Sequence, residues 1–367
     1  MTMAIWTKQK LGDVIYLEYG KGLIAEDRIS GLYPVYGSSG KIGTHSEYLI
    51  KGPGIIVGRK GSVGEVHYSK NNFYPIDTTY FVRCKNKKYD IYFLYTLLKA
   101  LNLKRLQGDT GVPGLNREIA YGEMISIPNL PTQTHIASVL SAYDDLIENN
   151  EKRIKALEEM SQLLYTEWFV NFKFSGHEKV KMVDSETEYG MIPEGWKIVT
   201  IGSMLGKVQR KAKIQTDEYL NIGKCPIVDQ GKGFIAGYTD SDDAVYNQSL
   251  IVFGDHTRCF KYCNFPFACG ADGTQLLLTN DIERIPEILL YYIVLNSGLQ
   301  NFNYARHFKF LKTMKIIKPD SSIAKKFSEL VDNTYEQITV FRNKNLILQK
   351  TRDLLISQLV TGKRKLK

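Results

Sequence analysis

The sequence predicts an α+β protein built from two copies of one unit, each a globular segment followed by a long helix. Two stretches, one between Pro131 and Gly176 and one between Pro319 and Gly362, contain neither proline nor glycine. Each carries apolar residues at alternating steps of four and three, which is typical of helices in a coiled coil. Short β-type runs and turns fill much of the remainder, without the strand and helix alternation of a doubly wound sheet.

The first long helix is predicted between Pro131 and Gly176. Thr132 or Thr134 can cap its start, and Lys173 with Gly176 suits its end. Its inward positions are Ile136, Leu140, Tyr143, Ile147, Asn150, Ile154, Leu157, Ser161, Leu164 and Trp168. So narrow a stripe requires a second helix alongside rather than a sheet beneath, and a buried Asn150 would fix the register.

The second helix, predicted from Ile323 to Thr361, supplies that partner. Its inward positions, found by alignment with the first helix, include Ile323, Phe327, Leu330, Leu348, Leu355 and Leu359. The offset between the two helices grows from 187 to 191 residues, so the second helix has four extra residues, an insertion that coiled coils tolerate. The alternative is a pair of unrelated amphipathic core helices with a solvated Asn150.

The repeat extends to the start of each unit. Trp6 with Leu11-Gly12 recurs as Trp196 with Ile201-Gly202, both at an offset of 190. Two copies of one unit are the simplest description. The predicted segments are a first globular domain at 1–130, a long helix at 131–176, a linker at 177–195, a second globular domain at 196–318, a second long helix at 319–362 and a basic tail at 363–367.

Composition limits the compartment and the chemistry. No run of eighteen apolar residues and no signal-peptide pattern occurs, so we expect a cytoplasmic protein without a membrane partner. Five cysteines, an odd number, fit a reducing compartment. His256, Cys259, Cys263 and Cys269 match no common zinc spacing, and we interpret the cysteines as buried thiols and expect no metal.

The charge is unevenly distributed. The chain carries +9 in total, but residues 133–172 carry −4, residues 323–361 carry +2 and the tail carries +4. The remaining +7 therefore falls on the other residues, mostly in the globular segments, which indicates an acidic polymer such as DNA as their partner.

Candidate DNA-binding residues lie in the first globular segment. The turn from Gly58 to Gly64 presents two cations beside glycines, and the loop from Gly111 to Asn116 follows a second cationic stretch. Backbone N–H groups and cations of this kind bind phosphate, and amide and hydroxyl groups address base edges. The candidates are Lys41, Arg59, Lys60, Ser62, Lys104, Arg105 and Thr110. The alternative is an ordinary hairpin with a charged tip.

The second globular segment contains a comparable set. Basic and aromatic residues interleave before its closing helix, a pattern that suits phosphate neutralisation with base contact. The candidates are Lys224, His256, Arg258, Lys261, Arg306, Lys309 and Lys312. The alternative is an edge helix with ordinary surface charges.

Catalytic motifs are absent from the sequence. No phosphate-binding, dinucleotide-binding or nucleophile-elbow motif occurs. The segment Asn264-Phe265-Pro266-Phe267 departs from the amino-methyltransferase signature because Phe265 replaces a proline. We expect no catalytic residue in this chain. Two alternatives are a free-standing nuclease or methyltransferase with duplicated DNA-binding units and a coiled-coil adaptor without DNA contact, which the +7 disfavours.

The duplicated Trp-x-x-x-x-Leu/Ile-Gly opening and the two closing helices resemble the specificity subunit of type I restriction-modification enzymes. The segments that carry this resemblance are Pro131-Thr132-Gln133, Ile192-Pro193-Glu194-Gly195-Trp196, Gly58-Arg59-Lys60-Gly61-Ser62-Val63-Gly64 and Val112-Pro113-Gly114-Leu115-Asn116. The resemblance covers essentially the whole chain, although the second unit has no clear counterpart of Arg59-Lys60.

The resemblance implies a fold, a function and partners. The fold would be two target-recognition domains joined by an antiparallel coiled coil. The chain would be non-catalytic and would read a bipartite, asymmetric target in double-stranded DNA. Two methyltransferase subunits and restriction/translocase subunits would bind it, and S-adenosylmethionine, ATP and magnesium would be used by those partners.

Overall fold

The computed structural model describes residues 6–107, 114–271, 273–300 and 306–364, and it divides into two compact units. The first unit combines residues 1–149 with 345–367, and the second contains residues 150–344. Each unit therefore holds one globular segment and part of both long helices. None of the helices in the described ranges combines the length and apolarity that a membrane span requires.

In the described residues of the first globular segment, nine strands and three short helices precede the first long helix. In chain order these are β1 (Trp6–Lys10), α1 (Leu11–Val14), β2 (Ile15–Tyr19), β3 (Tyr33–Gly37), β4 (Gly40–His45), β5 (Gly54–Gly58), β6 (Val66–Ser69), β7 (Tyr74–Pro75), β8 (Thr79–Cys84), α2 (Ile91–Ala100), a 3-10 helix (Leu103–Leu106), α3 (Arg117–Tyr121), β9 (Met124–Pro128) and α4 (Leu130–Tyr165).

These strands form three sheets. The orders are β2-β8-β5-β6, β4-β3-β7 and β1-β9. All pairs are antiparallel except β3 with β7. The residues of β5 are buried on both faces, as a central apolar strand requires.

The second unit repeats this plan with other residues. After a π-helical turn (Thr166–Val170) and a 3-10 turn (His177–Lys179) come β10 (Met182–Asp184), β11 (Met191–Pro193), β12 (Lys197–Thr200), α5 (Ile201–Met204), a 3-10 turn (Thr216–Glu218), β13 (Cys225–Val228), β14 (Gly237–Thr239), a 3-10 turn (Asp242–Ala244), β15 (Val245–Tyr246), β16 (Leu250–Gly254), β17 (Phe260–Cys263), β18 (Phe267–Cys269), β19 (Thr274–Leu277), α6 (Glu287–Leu295), α7 (His307–Thr313), β20 (Lys315–Lys318) and α8 (Ser321–Leu359).

The pairing of these strands matches that of the first unit. Strand β12 pairs with β20 as β1 pairs with β9, and β13 runs parallel to β18 as β3 runs parallel to β7. The sheet orders are β14-β13-β18-β15, β17-β16-β19, β12-β20 and β10-β11. The two units therefore share one frame despite their different sequences.

Close backbone approach explains the repeated Leu/Ile-Gly motif. A Cβ at Gly12 would lie 2.8 Å from the Cβ of Tyr121 in α3, and a Cβ at Gly202 would lie 2.8 Å from the carbonyl oxygen of Lys312 in α7. Glycine is therefore required where the short opening helix of each unit meets the helix that precedes its last strand.

The repeated tryptophans contact the ends of the long helices. The Trp6 ring lies against Gly362, just beyond α8, where an added Cβ would approach it to 3.0 Å. Trp196 stacks on Phe174, beyond the end of α4, with the ring centroids 5.3 Å apart. The motif therefore ties each globular segment to a helix end in its own unit.

The starts of the long helices differ from the sequence prediction. Helix α4 begins at Leu130, and the side chain of Asn129 accepts a hydrogen bond from the Thr132 N–H at 3.2 Å. The assignment of Thr132 or Thr134 as cap was therefore wrong, because Pro131 fits the first turn of a helix and does not prevent an earlier start. The side chain of Asp320 accepts a hydrogen bond from Ser322 N–H at the start of α8.

The end of the first helix also differs. The α-helix ends at Tyr165 and continues for one π-helical turn, after which Phe172 adopts a φ of 57°. The predicted end at Gly176 was therefore too late. The π-helical turn places Trp168 and Phe169 in the core beside Phe327, with the Phe169 and Phe327 ring centroids 5.1 Å apart.

The long helices run antiparallel within each unit. In the first unit Asp144 contacts Arg352 and the carbonyl oxygen of Ile147 accepts a hydrogen bond from Asn345, so residue numbers rise along one helix as they fall along the other. In the second unit Glu158 of α4 pairs with Arg342 at 2.7 Å. Phe169, in the π-helical turn that follows α4, contacts Phe327, which precedes Arg342 in α8.

Most of the predicted seam faces inward. Ile136, Leu140, Ile147, Trp168, Ile323, Phe327 and Leu359 are buried, whereas Tyr143, Asn150, Ile154, Leu157, Leu164, Leu348 and Leu355 are half-buried. Leu330 was wrongly placed, because its side chain is 54% exposed and Val331 occupies the inward position. At the start of α8 the buried positions Ile323, Phe327, Val331 and Tyr335 lie four residues apart. Where α4 meets the later part of α8, Asn345 is buried and donates to Ile147, whereas Asn150, predicted as the buried amide, is only half-buried.

Candidate nucleic-acid interface

The turn after β5 holds the cations of the first unit. Arg59 and Lys60 donate their backbone N–H groups to the carbonyl oxygen of Thr78, at 2.9 and 3.1 Å. The turn closes through Gly61 and Gly64, whose φ angles are 77° and 71°. A Cβ at Gly64 would lie 2.5 Å from the backbone of Leu103, so glycine lets the turn contact the 3-10 helix that carries the next cations.

Three cationic segments meet beside this turn. Lys60 forms a β-bridge with Gly114, and Leu115 donates its N–H to the Arg59 carbonyl oxygen at 2.9 Å. The residues that follow lead into α3, whose N-cap is Asn116. We call the residues Arg59, Lys60, Lys104, Arg105 and Arg117 the first basic edge. It brings together four of the residues predicted from the sequence.

Arg117 is the one member that the sequence pattern did not predict. The guanidinium groups of Arg59 and Arg117 each lie 5.2 Å from the ring centroid of Tyr19, which is 53% exposed. Arg117 directly follows the Val112–Asn116 segment singled out in the sequence, so its position beside that segment was the available signal. An exposed aromatic ring between two arginines suits contact with a sugar-phosphate backbone or an unstacked base.

Two cations of this edge, Lys104 and Arg105, form ion pairs, and a third, Arg59, donates to a carbonyl oxygen. Lys104 lies 2.6 Å from Glu65, and Arg105 pairs with Glu123. The Arg59 side chain donates to the carbonyl oxygen of Asp77 at 2.7 and 3.0 Å. Exposed pairs of this type contribute about 0–1 kcal/mol, so a phosphate can replace the carboxylate at little cost.

Other predicted residues of this unit lie around the turn. Ser62 is half-buried within it, and Ser38, in the β3-β4 hairpin, lies against Gly61, where an added Cβ would approach its hydroxyl to 3.2 Å. Lys41 is exposed in β4 just after this hairpin turn. Thr110 lies outside the described residues, as do residues 111–113 of the predicted loop.

The second unit holds its cations at the corresponding place. Asp255, just after β16, accepts hydrogen bonds from the N–H groups of His307 and Phe308, through its carbonyl oxygen at 3.2 Å and its carboxylate at 2.7 Å. This joins the turn after β16 to the start of α7. We call the residues His256, Arg258, Arg306, Lys309 and Lys312 the second basic edge.

The side chains of the second basic edge differ in exposure. His256, Arg306, Lys309 and Lys312 are exposed, and the Lys312 ammonium lies 4.9 Å from the Phe308 ring centroid. Arg258 is half-buried and adopts a φ of 59°. The edge therefore presents mainly the cations of α7.

Lys261 was wrongly predicted as a DNA-binding residue. Its side chain is 6% exposed, and its ammonium group donates to the carbonyl oxygens of Asp229, at 2.8 Å, and Gly233, at 2.5 Å. Burial lowers the pKa of Lys261 from its ordinary value. An ammonium already bonded inside the unit is not available to phosphate, so Lys261 stabilises the fold instead.

Lys224 lies apart from the second basic edge. Its backbone N–H donates to the Asp240 carboxylate at 2.9 Å, and its ammonium lies 4.0 Å from Asp242. No contact in the described part of the chain links it to α7. The sequence pattern could not reveal this, because Lys224 precedes a strand in another sheet.

Three of the five cysteines are core thiols, whereas Cys84 and Cys259 are half-buried, so the prediction of a buried thiol was wrong for Cys259. Cys225, Cys263 and Cys269 are buried, and burial raises the pKa of each, to about 11 for Cys269. Among the residues that the structure describes, no cluster of three His, Cys, Asp or Glu side chains is suited to hold a metal ion.

Comparison with known proteins identifies similar sequences. Residues 3–159 match the family model described as the type I restriction modification DNA specificity domain. The MjaIX specificity subunit of Methanocaldococcus jannaschii is 27% identical over 74% of this chain and 68% of its own length. The MjaVIII specificity subunit of the same organism is 25% identical over 99% of this chain and 93% of its own length.

The fold agrees with these sequence matches. A solved structure of the type I restriction-modification S subunit from M. genitalium superposes with a TM-score of 0.59. It is 18% identical, and the superposition covers 100% of this chain and 98% of the other. The chain is thus similar in sequence over most of its length, and in fold over all of it, to type I restriction-modification specificity subunits.

Proposed function

We propose that this chain reads a bipartite, asymmetric DNA target through two recognition domains, one in each compact unit. The observation that carries this proposal is the repeated position of the cations. In each unit the basic edge combines the turn after an apolar central strand, β5 or β16, with the short helix that precedes the last strand. Because the side chains at the two edges differ, two unlike half-sites are expected.

Double-stranded DNA suits these edges better than a small anion. The cations of the first basic edge come from three segments, and two of them, Arg59 and Arg117, flank the exposed Tyr19, so the edge offers several separate phosphate contacts. Neutralising several phosphates releases counterions and gives strongly salt-dependent binding. The adaptor alternative, without DNA contact, leaves these exposed cations without a role.

The long helices support the separation of two half-sites. Helices α4 and α8 contain 36 and 39 residues, or roughly 54–58 Å at 1.5 Å per residue. One turn of DNA is about 34 Å, so an antiparallel coiled coil of this length would keep two domains on separate major-groove segments.

We propose that the chain is a specificity subunit and that catalysis belongs to its partners. Two methyltransferase subunits and restriction/translocase subunits would assemble with it, and they would use S-adenosylmethionine, ATP and magnesium. A free-standing enzyme is not favoured by the family match. We propose that the protein acts in the cytoplasm, where the DNA is located.

The first test measures the salt dependence of DNA binding. The double substitution Arg59→Gln and Lys60→Gln should weaken binding. It should also reduce the slope of log K against log salt by up to the value that about two phosphate contacts contribute. Lys87→Gln with Lys88→Gln removes the same charge from an exposed loop away from the basic edge and should leave the slope nearly unchanged. Equal effects of both pairs would show that the turn after β5 does not face DNA.

The second test concerns specificity. Residues 196–318 would be replaced with the corresponding segment of a relative, and the chain would be co-expressed with its methyltransferase partner. The methylation pattern should change in one half-site and stay the same in the other. A change in both half-sites would contradict independent reading by the two units.

A further inference from the structure

The second unit contains an acidic pocket that DNA recognition does not explain. It has a volume of about 560 Å³ and lies between the end of β17, the start of α6 and the first turns of α8. Five carboxylates and one lysine line it: Glu283, Glu287, Glu329, Asp332, Glu336 and Lys325. The excess of negative charge is the opposite of what a DNA-binding surface requires.

Glu287 is the innermost of these carboxylates. It is 5% exposed, and one carboxylate oxygen accepts a hydrogen bond from the Thr279 N–H at 2.8 Å. The other oxygen, Oε2, is buried and has no partner among the described residues. Burial raises the pKa of Glu287 to about 7. Buried polar atoms normally have a partner, so an unpaired carboxylate oxygen in a pocket indicates a missing donor.

The corresponding pocket of the first unit shows what such a donor looks like. Lys70, one residue after β6, lies 2.7 Å from Asp145 and 2.5 Å from Glu148 of α4. It lines a pocket together with Tyr68 and Asp145. These hydrogen bonds raise the pKa of Lys70, so its ammonium remains charged.

The second unit lacks this internal cation. Asn264, one residue after β17, occupies the position of Lys70, and Asp332 occupies that of Asp145 at the helix offset of 187. The Asn264 side chain accepts a hydrogen bond from the Thr339 hydroxyl at 2.8 Å and carries no charge. Asp332 accepts a hydrogen bond from the Ser328 hydroxyl at 2.6 Å, and no ion pair of the described residues involves it.

We propose that the acidic pocket of the second unit binds a primary alkylammonium group, in the position that Lys70 fills in the first unit. The group would donate to Glu287 and Asp332. An ammonium has three donors and suits dispersed carboxylates, whereas these residues form no cluster suited to a metal ion. The source is either a free linear oligoamine or a lysine side chain of a partner protein.

The test uses spermidine and the full chain without DNA, with binding measured by isothermal titration calorimetry at pH 8 and low salt. One spermidine should bind per chain, and Asp332→Asn should weaken it at least ten-fold. Glu151→Gln, which removes an exposed carboxylate outside the pocket, should change the affinity less than two-fold. Absence of binding, or equal loss in both variants, would overturn the proposal.

Two exchanges between the units provide an independent test. Asn264→Lys should supply the ammonium from within and abolish spermidine binding. Lys70→Asn should open the first pocket and raise the stoichiometry from one to two. Thermal unfolding would verify that both variants are folded. Unchanged spermidine binding in folded Asn264→Lys protein would contradict the assignment of the pocket.

Butylamine separates the two sources. It carries one ammonium, like a lysine side chain. Similar affinities for butylamine and spermidine would indicate recognition of a single lysine-like group, whereas much tighter spermidine binding would indicate an oligoamine. In either case the affinity should rise between pH 6 and 8, because Glu287, whose pKa burial raises to about 7, must lose its proton to accept a cation. The other charged groups that line the pocket are Glu283, Glu329, Asp332, Glu336 and Lys325. A pH-independent affinity would exclude Glu287 as the acceptor.

Discussion

Helix α2 of the first unit begins after Asp90, whereas helix α6 of the second begins after Pro286. Asp90 caps α2 by accepting hydrogen bonds from the N–H groups of Tyr92 and Phe93. Helix α6 has no side-chain cap. The carboxylate of its first residue, Glu287, accepts a hydrogen bond from the Thr279 N–H instead. The two equivalent helices thus differ at their first turn: a side chain caps α2, and no side chain caps α6.

The carboxylates around the long helices differ in the same way. In the first unit Arg352 and Lys70 pair with Asp144, Asp145 and Glu148. In the second unit Glu158 pairs with Arg342, but Glu287 and Asp332 have no ion pair in the described ranges. The comparison teaches that the frame depends on apolar packing and close glycine contacts, which both units keep, while charges can diverge because most contribute little to folding.

The largest expected effect concerns the apolar packing that both units share. Phe327→Ala should cost about 3–5 kcal/mol in free energy of unfolding, because the ring is fully buried among Tyr165, Trp168 and Phe169. Leu330→Ala, three residues further along α8, should change it by less than about 0.5 kcal/mol because that side chain is exposed. Urea unfolding followed by circular dichroism measures both. A comparable loss in the two variants would return Leu330 to the helix interface.

The second prediction concerns the carboxylate that one unit has and the other lacks. The pKa of Glu287 is raised to about 7 in the folded chain, so between pH 4.5 and 7 the folded state holds a proton that the unfolded state has lost. Stability should therefore fall as the pH rises through this range, by at most about 3.4 kcal/mol at 1.36 kcal/mol per pH unit.

Glu287→Gln should remove this loss and make the protein more stable at pH 8. Glu283→Gln, an exposed neighbour, should leave the pH dependence as it is in the natural chain. Thermal unfolding between pH 5 and 8 distinguishes them. If the natural chain were equally stable across this range, the carboxylate would have a donor in solution.

The third prediction tests the frame itself. Gly12→Ala and Gly202→Ala should each cost about 1–3 kcal/mol, because the added Cβ would meet a neighbour at 2.8 Å. The loss should be larger at Gly202, where the neighbour is the backbone oxygen of Lys312, than at Gly12, where it is the Tyr121 side chain. Gly22→Ala, with no atom within 4 Å, is the matched control and should be nearly neutral. Equal stability in all three would mean that the motif is not needed for packing.

The sequence by itself determined the duplicated plan, the two long helices and most of their inward positions. These depend on periodic apolar residues and on glycines at fixed offsets, which act through local geometry and are visible in one dimension. It also indicated Arg59, Lys60, Lys104 and Arg105 as candidates for DNA contact.

Tertiary structure decided what periodicity leaves open. Leu330 and Val331 are adjacent and both apolar, and the partner helix alone selects Val331 for the interior. Lys261 has the charge of a DNA-binding residue, but it is buried, and its ammonium donates to the carbonyl oxygens of Asp229 and Gly233. Lys70 and Asn264 correspond because each directly follows the equivalent strand of its unit. Only this comparison shows that the second unit has no lysine at the position facing the buried Glu287. In each case the outcome depends on groups far apart in the chain, because burial and ion pairing are properties of the surroundings and not of the residue.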